Sequence, residues 1–342
     1  MTAHQSLTLP PSARIDPVVE TLHGEQVIDP YRWLEDGDAP ETREWVAAQN
    51  AYTRSVLDQL PRREEIRARL DQLLTTGSVG VPQARRTRHF YARRDGRQDQ
   101  PVLRVREGTA GPERTLLDPN ALSAGGLVSL DWWQPSRDGR LLACGLSEGG
   151  DEWSVLRVLD VERGTPLPDE EIPRARACSV AWLPDGSGFY YTRYPEPGAV
   201  PAGEEHYHRL VFLHALGTPW QADPEVFGAG RAKEDWPSVD LSPDGRWLLV
   251  VVSQGWARSE VYLLDRQRPD AGFVPVHAGV EAWADGEVAG GRLYLRTNQD
   301  APNYRLFAID PERPGRDAWR ELLPERPDRV LSAARAVAGV LA

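Results

Sequence analysis

Pro243-Asp244-Gly245-Arg246-Trp247-Leu248-Leu249-Val250-Val251-Val252, with Val261-Tyr262-Leu263-Leu264-Asp265 a short way downstream, is the stretch that decides the fold. An Asp-Gly pair ahead of an apolar run marks a tight hairpin, because glycine and, at greater cost, aspartate accept the positive φ that such turns require. The runs beside it are short, β-branched and aromatic, which makes them strands. The unit recurs. Arg94-Asp95-Gly96, Arg137-Asp138-Gly139 and Pro184-Asp185-Gly186 come before it, with successive aspartates 43, 47 and 59 residues apart, and Ala289-Gly290-Gly291 follows 46 residues beyond Asp244. Leu141-Leu142-Ala143-Cys144, Gly188-Phe189-Tyr190-Tyr191 and Arg292-Leu293-Tyr294-Leu295 sit where Trp247–Val252 sits, and Val155-Leu156-Arg157-Val158-Leu159 matches Val261–Asp265. Several strands every ~45 residues describe a β-propeller blade, whereas a β-sandwich brings a turn every ~8–12 residues without a longer period. Units at 80–118, 128–166, 176–228, 236–270 and 282–322 make about five blades, and 329–342 reads as the opening of a sixth. The expected fold class is mainly β, an incomplete propeller.

The chain ahead of the repeats has a different period. Asp38-Ala39-Pro40-Glu41 offers a side-chain cap, a proline for the first turn and an acid three residues after the cap, so a helix is expected to start there. Trp45, Ala48, Tyr52 and Val56 then form one apolar stripe. Pro61 is expected to open a second helix that buries Ile66, Leu70, Leu73 and Leu74. Residues 1–79 are therefore expected as a short α-helical segment and 80–342 as the partial propeller.

Composition narrows the function. The 342 residues carry a formal charge of −11, which argues against phosphate backbones and anionic lipid as partners, since both select basic surfaces. Nucleic acid and membrane are excluded as expected partners. A single lysine, Lys233, accompanies 39 arginines and does not follow a glycine, so a phosphate-binding GK[ST] loop is absent. Two cysteines, Cys144 and Cys178, supply neither a disulfide framework nor a four-cysteine zinc site, and no metal or other cofactor is expected. With no apolar leader in 1–17 and no run near the ~20 residues of a membrane span, a cytoplasmic location is expected.

Asp29-Pro30-Tyr31-Arg32-Trp33-Leu34-Glu35-Asp36 and Trp45-Val46-Ala47-Ala48-Gln49-Asn50 resemble the N-terminal segment of the prolyl oligopeptidase family of serine peptidases. Leu116-Leu117-Asp118-Pro119-Asn120, Leu146-Ser147-Glu148-Gly149-Gly150-Asp151-Glu152-Trp153, His214-Ala215-Leu216-Gly217-Thr218 and Thr297-Asn298-Gln299-Asp300-Ala301-Pro302-Asn303-Tyr304 resemble further family segments in the family's order. The resemblance implies a seven-bladed propeller that filters short peptides for an α/β-hydrolase domain, on which the N-terminal segment packs. It also implies that the family's Ser-Asp-His residues lie outside this chain, so no residue here is assigned a catalytic role. The chain alone is expected to be inactive and to need a hydrolase domain or a separate hydrolase chain, with short peptides as substrates of the complete enzyme. The alternative is a stand-alone propeller that binds a partner. On the strand nearest the axis, the family often carries an aromatic residue where Ala177 stands. Ala177, Ser179 and Trp236 are the candidate substrate contacts, with Trp236 the one able to offer a ring.

Other patterns have plainer explanations. Gly145-Leu146-Ser147-Glu148-Gly149 satisfies G-x-S-x-G, but a nucleophile elbow leads into a helix, and here Gly149-Gly150 leads into a second strand. His206-Tyr207-His208 has a spacing that places two imidazoles on one side of a strand, yet no further ligand completes a metal site and a solvated loop is expected. Trp132-Trp133 is read as packing between sheets rather than a carbohydrate platform. Adjacent Glu170 and Glu171 would point opposite ways on a strand and cannot flank a glycosidic bond, so a solvated turn is expected there.

Overall fold

A computed structural model describes residues 9–123, 125–337 and 340–341. The chain divides into two compact units at Thr76/Gly77. The first begins with an antiparallel hairpin, Val18–Leu22 paired to Glu25–Asp29. Two helices follow, α1 (Pro40–Leu57) and α2 (Arg63–Leu74). Pro40 occupies the first turn of α1, but the cap is not Asp38: Asp36 Oδ1 accepts from the Asp38 and Ala39 amides at 3.0 and 3.1 Å. Asp38 instead pairs with Arg43 at 2.6 Å. The expectation that α2 buries its apolar residues is not met, since Ile66 is 55% exposed and Leu70, Leu73 and Leu74 are exposed with it. Two helices bury a stripe only where a further layer covers it.

The second unit is mainly β, as expected. Its described residues form five antiparallel sheets of four or five strands and a terminal two-stranded one, and in each four-stranded sheet neighbours follow chain order. The first sheet has five strands, Ser78–Val79, Gln83–Arg85, Arg88–Arg94, Val102–Glu107 and Glu113–Leu117, of which the first two both pair with the third. Four four-stranded sheets follow. The second holds Val128–Pro135, Leu141–Glu148, Val155–Asp160 and Thr165–Ile172, and the third Val180–Trp182, Gly188–Arg193, Leu210–Ala215 and Glu225–Phe227. The fourth holds Trp236–Leu241, Trp247–Gln254, Arg258–Asp265 and Val274–His277, and the fifth Ala284–Ala289, Arg292–Thr297, Arg305–Ile309 and Arg320–Leu323. A short hairpin, Ala336–Val337 with Val340–Leu341, comes last.

Alternation along the second strand of each sheet explains why these strands read as unbroken apolar runs. Leu248, Val250 and Val252 pack with Ala181, Tyr190 and Val211 of the third sheet, while Trp247 and Leu249 pack with Ala284, Leu293 and Leu295 of the fifth. Likewise Leu142 and Cys144 face the first sheet, and Ala143 faces the third. A sheet covered on both faces needs apolar residues at odd and even positions alike.

Three Asp-Gly pairs build equivalent hairpins between first and second strands. Gly139, Gly186 and Gly245 adopt φ of 73°, 74° and 75°. In two of them a serine closes the turn: Ser136 and Ser242 donate to Asp138 and Asp244 at 2.8 and 2.5 Å and accept from the Leu141 and Trp247 amides at 3.0 and 2.8 Å. Gly290-Gly291 stands at the same place in the fifth sheet. Asp95-Gly96 does not: it lies between Arg88–Arg94 and Val102–Glu107, and the equivalent hairpin of the first sheet is Arg86-Thr87, between Gln83–Arg85 and Arg88–Arg94, with Arg86 at φ 53°.

Candidate functional site: an axial cavity and its loop-bearing rim

Because each first strand runs toward its hairpin, the hairpins share one end of the unit, and the loops between second and third strands share the other with the connections between sheets. First strands also line a cavity of about 1080 Å³. Its wall is polar: Gln83 and Arg85 come from the first sheet, Gln134 from the second, Ser238 and Asp240 from the fourth, and Asp285 and Glu287 from the fifth. Arg296 holds Asp285, with Nε 3.2 Å from Oδ1, and its Nη1 also donates to the Leu331 and Ser332 carbonyls at 2.8 and 2.7 Å. Toward the hairpin end Arg137 crosses from the second sheet to the fourth, donating to the Leu241 and Ser242 carbonyls. Burial pulls the Arg85 and Arg137 guanidiniums down from their ordinary values and pushes the Asp240 carboxyl up, with Arg137 opposing the latter shift. Three charged groups, two half-buried guanidiniums and an exposed carboxylate, thus line that end.

Ser179 lines the cavity, but its hydroxyl is engaged: it donates to the Val239 carbonyl at 3.1 Å and accepts from the Val239 amide at 3.0 Å, stitching the third sheet to the fourth. Ala177 adopts φ 45° and turns its carbonyl to Arg209 Nη2 at 2.6 Å. Trp236 opens the fourth sheet and remains 41% exposed. The Arg209 guanidinium lies 4.4 Å from its ring centroid, and Tyr194 meets it edge-on with centroids 6.2 Å apart. Ala177 and Trp236 are therefore brought to one place, through Arg209, at the loop-bearing end. Sequence reading passed over Arg209 and Tyr194. The available signal was an arginine at the head of an apolar strand, Arg209-Leu210-Val211-Phe212-Leu213.

G-x-S-x-G is explained by packing. Ser147 is buried near the end of the strand Leu141–Glu148 and donates to Asp131 at 3.0 Å, and Asp131 also accepts from Ser154 at 2.5 Å. Gly145 leaves room for the Trp132 ring, whose Nε1 donates to the Ala175 carbonyl at 3.1 Å. Gly149 and Gly150, at φ 67° and 78°, make the turn to the next strand. No helix follows. His208 pairs with Glu204 at 2.7 Å while His206 packs on Trp153, and no metal-ligand group of three or more is found among the described residues.

Glu170 overturns the expected solvated turn. It lies on a strand at 4% exposure and accepts from His214 Nε2 at 2.9 Å and from the Gly217 amide at 2.6 Å. Asp223 takes His214 Nδ1 at 2.9 Å and the Tyr191 hydroxyl at 2.8 Å. Burial would lower the imidazole, but hydrogen bonds to Asp223 and Glu170 outweigh it and hold His214 up at about 9. The result is a buried imidazolium between two carboxylates, joining the second sheet to the third. Glu171 faces the other way and pairs with Arg157 at 3.1 Å.

Comparison with known proteins places these features in a family. Residues 10–342 match the family model described as prolyl oligopeptidase, N-terminal beta-propeller domain. Prolyl endopeptidase of Elizabethkingia meningoseptica is 32% identical over 310 residues, covering 90% of this chain and 43% of that protein. Prolyl oligopeptidase A of Galerina marginata is 29% identical over 375 residues, covering 96% and 49%. A solved structure from a study of two prolyl endopeptidases and their inter-domain dynamics superposes with a TM-score of 0.89 at 36% identity, covering 97% of this chain and 49% of that one. The chain spans about half the length of the curated relatives it matches. Among the described residues no helix is long and apolar enough to cross a membrane.

Proposed function

The chain belongs to the prolyl oligopeptidase N-terminal β-propeller family, and from that premise we propose that it is the non-catalytic propeller portion of a serine endopeptidase that cleaves short peptides after proline. The observation that carries this reading is the family match over 10–342, joined to a polar axial cavity of about 1080 Å³ lined by first strands. In this reading the five sheets are five blades of a seven-bladed ring, and residues 1–79 are the segment that packs on the hydrolase. The chemistry comes from a hydrolase domain or chain outside these residues: a serine activated by histidine attacks the carbonyl and forms an acyl-enzyme. This chain contributes access and peptide contact. Its cavity wall offers hydrogen-bonding groups to an extended backbone, Trp236 offers an exposed ring at the loop-bearing end, and Ser179 and Ala177 position that rim through Val239 and Arg209.

The test joins this chain to the hydrolase portion of the Elizabethkingia meningoseptica relative and measures hydrolysis of a fluorogenic Gly-Pro peptide. Turnover by the joined protein, weakened through KM when Trp236 is changed to Ala, is the expected result. A joined protein that folds and cleaves but is indifferent to Trp236→Ala would remove Trp236 from the peptide path.

A further inference from the structure

At the loop-bearing end three rings follow one another: Trp153 and Tyr194 meet with centroids 5.5 Å apart, and Tyr194 and Trp236 at 6.2 Å. Guanidiniums fill the spaces between them. Arg174 lies 4.0 Å and Arg176 5.9 Å from the Trp153 centroid, and Arg209 lies 5.9 Å from Tyr194 and 4.4 Å from Trp236. In a chain of net charge −11 this concentration of positive charge is local. Among the described residues Glu152 pairs with Arg176 at 2.5 Å, while Arg174 is tied to the Glu205 backbone carbonyl at 2.6 Å and feels the Glu196 and Glu205 carboxylates at longer range.

Arg209 is the anomaly. The residue is 4% exposed, and no carboxylate is among the groups that shift it; burial pulls the guanidinium down, opposed by the Cys178 thiol and by the Tyr194 phenol, which acts both through its charge and as a hydrogen-bonding neighbour. Nη2 is used by the Ala177 carbonyl and Thr192 Oγ1, both at 2.6 Å. Among the described residues neither Nε nor Nη1, both buried, has a partner within ordinary hydrogen-bond geometry, and neither has the hydroxyl of Tyr194, whose residue is 1% exposed; phenol and guanidinium act on each other only at longer range. Buried arginine is normally matched by a carboxylate, since an unpaired buried donor keeps its desolvation cost and an unpaired buried charge costs more. Stacking on Trp236 offsets part of that cost, but it leaves the donors of the guanidinium edge empty.

We infer that this rim is an anion-recognition site, in which Arg209 and Tyr194, supported by Arg176, receive a carboxylate carried by a bound peptide. Ligand would reach it past the partly exposed Trp236 ring. The inference rests on the peptide-handling reading above and adds to it a substrate class: proline-containing peptides with an acidic group on the part that lies against the propeller.

The experiment uses the full chain and three probes: succinate, succinyl-Gly-Pro-amide and acetyl-Gly-Pro-amide. The Trp236 indole N–H resonance, identified through Trp236→Phe, reports binding. The expected result is a saturable shift with succinate, about tenfold tighter binding of the succinyl peptide than of the acetyl peptide at low salt, and loss of that preference in Arg209→Met. Arg176→Gln, a change at a partly exposed side chain, should reduce the preference in a chain whose fold is not at risk. No response to succinate or to either peptide would overturn the anion site. Equal binding of the two peptides would also overturn it while leaving peptide contact standing; a succinate response without binding of either peptide would keep the anion site and remove the peptide reading.

Discussion

Substituting Gly145 by Ala tests whether the G-x-S-x-G string exists for packing. A Cβ there would lie 2.8 Å from Trp132 Cζ2 and closer still to Nε1 and Cε2. The ring has little freedom to retreat, because its Nε1 donates to the Ala175 carbonyl at 3.1 Å. Gly145 does not have a positive φ, so alanine itself is tolerated and returns roughly 0.4–1 kcal/mol by restricting the unfolded chain. Against this stand overpacking, about 1–3 kcal/mol, and the lost indole bond with its stranded donor, about 1–3 kcal/mol. The net expectation is a destabilisation of about 1–5 kcal/mol, read from urea unfolding followed by circular dichroism. Trp132→Leu in the same chain should remove the clash, so that the double variant is less destabilised than the sum of the two singles by at least ~1 kcal/mol. A cost below ~0.5 kcal/mol for Gly145→Ala, or strict additivity with Trp132→Leu, would refute the packing explanation.

The buried imidazolium makes stability depend on pH: with its folded value raised from 6.5 to about 9, His214 contributes fully below pH 6.5, and this contribution, of order 3 kcal/mol, is lost as pH rises through 9. Denaturant midpoints measured from pH 6 to 10 should fall over that window in the parent chain and lose this step in His214→Gln, which should itself cost about 3–5 kcal/mol at pH 7 by leaving Glu170 and Asp223 facing one another. Arg137→Ala should speed amide exchange at Gly245 and Trp247, since it frees the Leu241 and Ser242 carbonyls that anchor the hairpin, and unchanged exchange would show that the strut carries no load. Burial pushes the Cys144 thiol up to about 12 and the Cys178 thiol up to about 11, so iodoacetamide at pH 8 should label neither in the native chain and both in denaturant. The exposed α2 residues Ile66, Leu70, Leu73 and Leu74 predict concentration-dependent association of the purified chain, which light scattering would detect and a non-associating monomer would contradict.

Hairpins at Asp138-Gly139, Asp185-Gly186 and Asp244-Gly245 were legible because their glycines occupy a backbone region that few other residues enter. Asp95-Gly96 misled because an Asp-Gly pair reports a tight turn and not which strands it joins. The true counterpart, Arg86-Thr87, has no glycine to announce it. Apolar runs such as Trp247–Val252 identified sheets covered on both faces, yet they could not show which neighbour each residue meets. Polar groups buried between sheets were the least legible. Glu170 and His214 lie 44 residues apart, Arg137 and Leu241 lie 104 apart, and nothing local marks either member as buried. Trp236 stood out as the one ring among the candidate contacts, but Arg209 against it gave only one arginine among many.

In the proposed function these residues handle peptide and perform none of the chemistry. The direct measurement is hydrolysis of a fluorogenic Gly-Pro peptide by the purified chain alone, with parallel labelling by a serine-reactive phosphonate. Neither turnover nor label is expected, because Ser147 is buried near the end of a strand and bonded to Asp131. Turnover by the chain alone, with phosphonate on Ser147 and loss of both in Ser147→Ala, would contradict it.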